Sequence, residues 1–135
     1  MSMYNILVEA HSGWRHIVVL VLAIAILRAL YGWIRGSEWG SWDQRLGMAT
    51  PIVMDIQLLL GLIIWIMSQQ WLGFNTLAAW EHPVTMILAI ATAHITWIQV
   101  KKKADARSRF QTETIGFAIA GVILAVGILR ITHVM

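Results

Sequence analysis

Four of the five histidines, His11, His16, His82 and His133, lie beside the ends of long apolar runs, in the company of Glu9, Arg15, Glu81 and Arg130. Imidazoles in such places suit three chemistries. Two neutral ring nitrogens at one depth on facing helices can hold haem b. By depth His16 and His82 are the best such pair, with His11 or His133 as substitutes, although Ile17, Val18, Val19 and Leu20 around His16 leave no evident slot for a macrocycle. An imidazole beside a carboxylate can take a proton from a quinol, which suits His82 with Glu81. Clustered histidines can bind zinc, but His11 and His16 are five residues apart, so one helix does not present both to one ion and no metal site is expected. The alternative to all three is a polar rim, with Arg15 paired to Glu81 or Glu9 and the histidines bonded to loop carbonyls.

A second polar layer lies deeper. Arg28, Asp55 and His94 interrupt three apolar runs at depths that agree within a helical turn. Because an unpaired charge at mid-bilayer costs at least ~2.5 kcal/mol, Arg28 and Asp55 are expected to pair, with His94 as a hydrogen-bonded neighbour. The functional alternatives for this cluster are contact with a quinone head group, or a proton path in a small proton-coupled transporter or sensor.

The elements that must position these residues are membrane spans. Of the 135 residues 59% are hydrophobic and 13% charged, about half the charged share of a soluble domain. Four runs have the ~20 residues that cross a bilayer: about 14–34, 51–71, 83–100 and 114–134. Thr50-Pro51 and His82-Pro83 read as helix starts. No peptidase-type small-residue site follows the first run, so it is expected to be retained. Lys101, Lys102, Lys103, Arg107 and Arg109 crowd the third connection, and Arg35 and Arg45 flank the first, whereas the second has neither lysine nor arginine. The bias puts connections one and three in the cytoplasm and both termini outside. The expected fold is all-α: one integral membrane four-helix bundle of two antiparallel hairpins. Small residues at helical spacing mark packing faces: Ala25, Ala29 and Gly32; Ala89 and Ala93; Gly116 and Ala120; Gly121 and Ala125.

The absence of cysteine excludes disulfides, thiolate metal sites and covalently attached haem. No phosphate-binding loop, zinc-protease, nucleophile-elbow or dinucleotide fingerprint is present, so the chain is not expected to be an enzyme on its own. The net charge of +3 reflects the connections and implies no nucleic-acid partner.

The segments "HSGWRHIVVL", "DIQLLLGLIIW" and "EHPVTMILAIA" resemble a family of small bacterial four-helix membrane proteins often labelled cytochrome b-like. The resemblance rests on His11, Ser12, Gly13 and Arg15, on Gln57, Leu58, Leu59 and Gly61, and on Glu81 and His82, and it extends over nearly the whole chain. Where the family pattern has histidine on span two this chain has Asp55, a poor ligand for haem iron. The resemblance implies an accessory, non-catalytic subunit beside the larger membrane subunits of a quinol-oxidising respiratory or photosynthetic complex, such as alternative complex III. With that span-two histidine replaced, no cofactor is expected on this chain, and haem b or menaquinone are the candidates should one be bound.

Overall fold

The computed structural model describes residues 2–69, 72 and 77–134, and the side chains of all of these except 77, 78, 133 and 134. Among the described residues there are four long helices and no strand. They are α1 (Met3–Arg35), α2 (Ser41–Met67), α3 (His82–Lys102) and α4 (Ala106–Val134), with one wide π turn, Leu77–Glu81, leading into α3. All four are long and apolar enough to cross a membrane. Each helix packs on its sequence neighbours, and α4 closes the ring on α1. The start of α1, the end of α2, the start of α3 and the end of α4 share one end of the bundle, here the terminal end. The two short hairpin loops form the other, the loop end.

The helices are longer than their apolar runs. α1 begins at Met3, not near Trp14, because the Ser2 hydroxyl accepts the Asn5 N–H at 3.1 Å and caps it. At 33 residues it is about 50 Å long, against a hydrocarbon core of about 30 Å. α2 begins at Ser41, ten residues before the expected start at Pro51. Pro51 lies inside the helix and is fully buried. Its missing N–H leaves the helix unbroken because Gly47, Thr50 and Met54 around it are held in the packed interior. α2 ends at Met67, and Trp71, the expected limit of that span, lies outside the described residues. α3 begins at His82 with proline in its first turn, as expected. α4 begins at Ala106, eight residues before Thr114, where the Asp105 carboxylate accepts the Ser108 N–H at 3.0 Å. That bond holds the Asp105 carboxyl below the usual carboxylate range.

Apolar outer faces and a core of small and medium side chains fit a bundle immersed in lipid, where close approach takes over from the hydrophobic effect. Ala25, Ala29, Ala89, Ala93 and Ala120 are all fully buried. At the loop end aromatic rings fill the space over glycines: a Cβ on Gly32 would stand 2.7 Å from the Phe110 ring, and one on Gly47 would run into Trp97. Gly116 seats the Thr96 side chain in the same way. Ala125, expected on a packing face with Gly121, is exposed; only Gly121 of that pair lies against Leu22 and Ile26.

Candidate ligand site at the terminal end

A cavity of about 390 Å³ opens between all four helices at the terminal end, within the range of small-molecule sites. Helical spacing brings its lining together: His11 and Arg15 from α1, Gln57, Gly61 and Trp65 from α2, His82, Met86 and Ile90 from α3, and Leu124 and Ile128 from α4. Each of the four sets repeats every four residues, about one turn apart on a single face.

The polar residues are fixed from behind. Gln57 Nε2 donates to the His11 carbonyl at 2.8 Å, tying α2 to α1. Trp14 Nε1 donates to the Val53 carbonyl at 2.8 Å, one turn below. The His11 ring lies over Gly61, where a Cβ would come within 3.1 Å of it, so glycine is what admits the imidazole. Trp65 Nε1 donates to the Ala79 carbonyl at 2.6 Å and meets the Trp80 ring edge-on at 5.5 Å, which anchors the π turn that delivers His82. The His82 ring faces the backbone of Gly127 on α4.

Three atoms of cavity-lining residues are buried with no hydrogen-bond partner among the described residues: His11 Nδ1, Gln57 Oε1 and His82 Nδ1. Each such atom costs about 1–3 kcal/mol, and they are the only buried unpartnered side-chain nitrogens and oxygens among the described residues. The walls between them are mainly apolar: Val18, Met54, Leu58, Met86, Ile90 and Leu124. The arrangement can take a small, largely apolar molecule carrying hydrogen-bonding groups.

The site differs from the expected one in its members. His82 and His11 line the cavity, but His16 is exposed on the other side of α1. Five residues turn a helix by about 140°, so one packed face cannot present both, and the expected His16–His82 pair does not form. Glu81 is not a cavity carboxylate. It is held in a two-pronged ion pair with Arg130, whose Nε and Nη2 each reach one carboxylate oxygen. Arg15 borders the cavity and pairs with neither Glu81 nor Glu9. The side chain of His133 lies outside the described residues. Among the described residues no group of three or more His, Cys, Asp or Glu could hold a metal ion.

The deeper cluster divides. Arg28 pairs with Asp43, not Asp55: its Nε donates to Oδ1 at 2.7 Å and its Nη2 to Oδ2 at 3.3 Å. The early start of α2 is the reason, since it sets Asp43 in a helical first turn level with Arg28. Asp43 Oδ2 also accepts the Gly40 N–H at 2.8 Å, and Glu113, 3% exposed, stands beside this pair on α4. Asp55 lies three turns further along α2, where it meets His94 Nε2 at 2.7 Å. Arg28, Asp55 and His94 therefore do not form one site.

Asp43 and Glu113 are not among the residues expected to matter from sequence, and Gln57 figures there only in the family resemblance. The chain was compared with protein-family models, curated proteins and solved structures, and no match was found.

Proposed function

We propose that the protein is an accessory subunit of a bacterial membrane electron-transfer complex, and that its terminal-end cavity receives the head group of a quinol or quinone. One observation carries the reading: His11 Nδ1, Gln57 Oε1 and His82 Nδ1 are buried without partners around one mainly apolar cavity. A quinol supplies what they lack. Its two hydroxyls donate to two of these acceptors, and the apolar walls receive the ring and the start of its tail. For the quinone form, an imidazole in the tautomer with hydrogen on Nδ1 donates to a carbonyl instead. No residue here transfers electrons, so in this reading the redox chemistry belongs to the larger subunits and this chain binds and orients the head group. Arg15, at the rim, adds positive charge where an anionic quinol form would sit.

The test uses the full-length protein in lipid nanodiscs, titrated with a short-tailed menaquinone analogue while tryptophan fluorescence is followed. Trp65 lines the cavity, so saturable quenching is expected. His82→Leu should weaken it at least tenfold, about 1.4 kcal/mol, and His16→Ala should leave it unchanged. Linear, non-saturating quenching in all three proteins would remove the quinol reading. Purification of the assembly from native membranes tests the subunit role: the chain should co-purify with larger membrane polypeptides, and a chain recovered always alone would end that part.

A second reading, b-type haem, draws on the same two imidazoles. His11 and His82 share one cavity with a ring nitrogen each to spare, so the donor set fits axial ligation, and they replace the His16–His82 pair expected from depth. Bound haem would supply one-electron exchange. A reduced-minus-oxidised spectrum of the purified chain decides between the two, since a quinol site alone gives no α-band.

A further inference from the structure

The Asp55–His94 pair stands apart from the cavity and is placed where its burial is incomplete. His94 Nε2 and Asp55 Oδ1 are 2.7 Å apart across the α2–α3 seam, and the two side chains are 44% and 46% exposed. Both lie in stretches apolar enough to cross a membrane. Ionisable groups at such depths face a bundle interior or a watery cavity, because hydrocarbon offers nothing to their remaining polar atoms. Here the remaining atoms are Asp55 Oδ2 and His94 Nδ1, and neither has a hydrogen-bond partner among the described residues. The surface around them is apolar. Ile52 and Leu59 flank Asp55 on α2, one turn to either side, and Ile98 lies one turn from His94 on α3. Ala91, exposed on the same side of α3, is the kind of small residue at which helices in lipid approach closely.

We propose that this face docks on a second copy of the same chain, related by a two-fold axis, with Asp55 Oδ2 of each copy meeting His94 Nδ1 of the other. The choice of a second copy follows from the leftover atoms. In the ion-paired state each seam has one spare acceptor, Oδ2, and one spare donor, Nδ1–H. Such a patch is complementary to itself, and a two-fold axis satisfies all four atoms at once. The four side chains then form a closed ring of alternating acceptors and donors, screened from lipid by Ile52, Leu59 and Ile98. The cavity opens on the inner side of α2 and α3, through Met54, Gln57, Met86 and Ile90, so ligand binding there is measured independently of this interface.

The chain has no cysteine, which makes single introduced thiols unambiguous. Ala91→Cys and Ile98→Cys, each in the full-length protein in native membranes, should yield a disulfide-linked homodimer on mild oxidation. Ile119→Cys, on an exposed position of α4, should not. Asp55→Asn in the Ala91→Cys background should lower the dimer yield at least fivefold while helix content by circular dichroism is unchanged. In a bilayer dilution series followed by energy transfer, the same substitution should raise the dimer dissociation constant at least tenfold. The proposal is overturned by a monomer at every protein-to-lipid ratio. Equal cross-linking through position 119, coupling of position 91 to a different polypeptide with no self-coupling, or an Asp55→Asn protein that dimerises like the parent would overturn it as well.

Discussion

At the loop end, Arg28 reaches both oxygens of Asp43, the Gly40 N–H adds a third bond, and the Phe110 ring lies 5.3 Å from the guanidinium. Trp39 packs on Phe110 at 4.9 Å and on Trp97 at 6.4 Å, and glycines on α1 and α2 let Phe110 and Trp97 in. At the terminal end His11, Gln57 and His82 surround a cavity and each keeps a buried atom without a partner. Both ends use buried polar groups on the same helices. At the loop end Arg28, Asp43 and the Gly40 N–H spend theirs on each other, with Glu113 buried beside them, and this fixes the register of α1 against α2. The other end leaves three of them buried in the walls of a cavity without a protein partner, a cost to stability that a molecule completing their bonds would offset. Polar substitutions should therefore cost stability at the loop end and binding at the terminal end.

The largest expected effect is at the loop end. Arg28→Leu removes the partner of a carboxylate that is 4% exposed, and because the guanidinium itself is 36% exposed the loss should fall at the low end of the range for a buried pair, about 3 kcal/mol. Reversible unfolding in mixed micelles measures it, and a loss under about 1 kcal/mol would show that Asp43 has another partner. Gly47→Ala should be next, at about 1–3 kcal/mol, because its methyl group overlaps the Trp97 ring and the packed core must shift. Gln57→Leu inverts the pattern. It loses the bond to the His11 carbonyl but also removes an unpartnered oxygen, so stability should change by less than about 1 kcal/mol, while affinity for a quinone analogue falls. A change mainly in stability would move this residue into the self-supporting class. The smallest effect is at the exposed loop itself. The Asp105 carboxyl is held below its usual value by the Ser108 N–H. Its contribution is present above the unfolded-state value and is lost as pH falls through the lower folded value. Amide-exchange protection at Ser108 should drop in that acid window and show no such drop in Asp105→Ala.

The four-helix architecture was legible in the hydropathy, because crossing hydrocarbon demands long apolar runs and leaves few alternatives. The helix ends were not, since hydropathy marks where lipid ends and not where hydrogen bonding ends. Ser2 and Asp105 carry two helices beyond their apolar runs, and the buried setting of Pro51 lets α2 run through a residue that reads as a start. That error displaced the ion pair: with α2 begun at Pro51, Asp43 fell in a loop and Asp55 became the obvious partner of Arg28. The choice between His11 and His16 turned on rotation about the α1 axis. A signal for it existed, because the buried stripe Gly32, Ala29, Ala25, Leu22 and Val18, continued backwards by steps of three and four, passes through Arg15 to His11 and misses His16. Glu113 could have been found in the same way from Phe110, Thr114 and Phe117. Which polar atoms stay unpartnered was not legible at all, since it depends on side-chain geometry across four helices.

The most direct measurement compares the parent protein with His11→Leu/His82→Leu in nanodiscs, following quinone-analogue binding and unfolding on the same samples. The account predicts that the double variant loses saturable binding while its stability is unchanged or raised, because two unpartnered nitrogens have left the interior. A double variant that is destabilised by several kcal/mol while binding the analogue as the parent does would contradict it, and would make the terminal end a second self-supporting polar layer like the first.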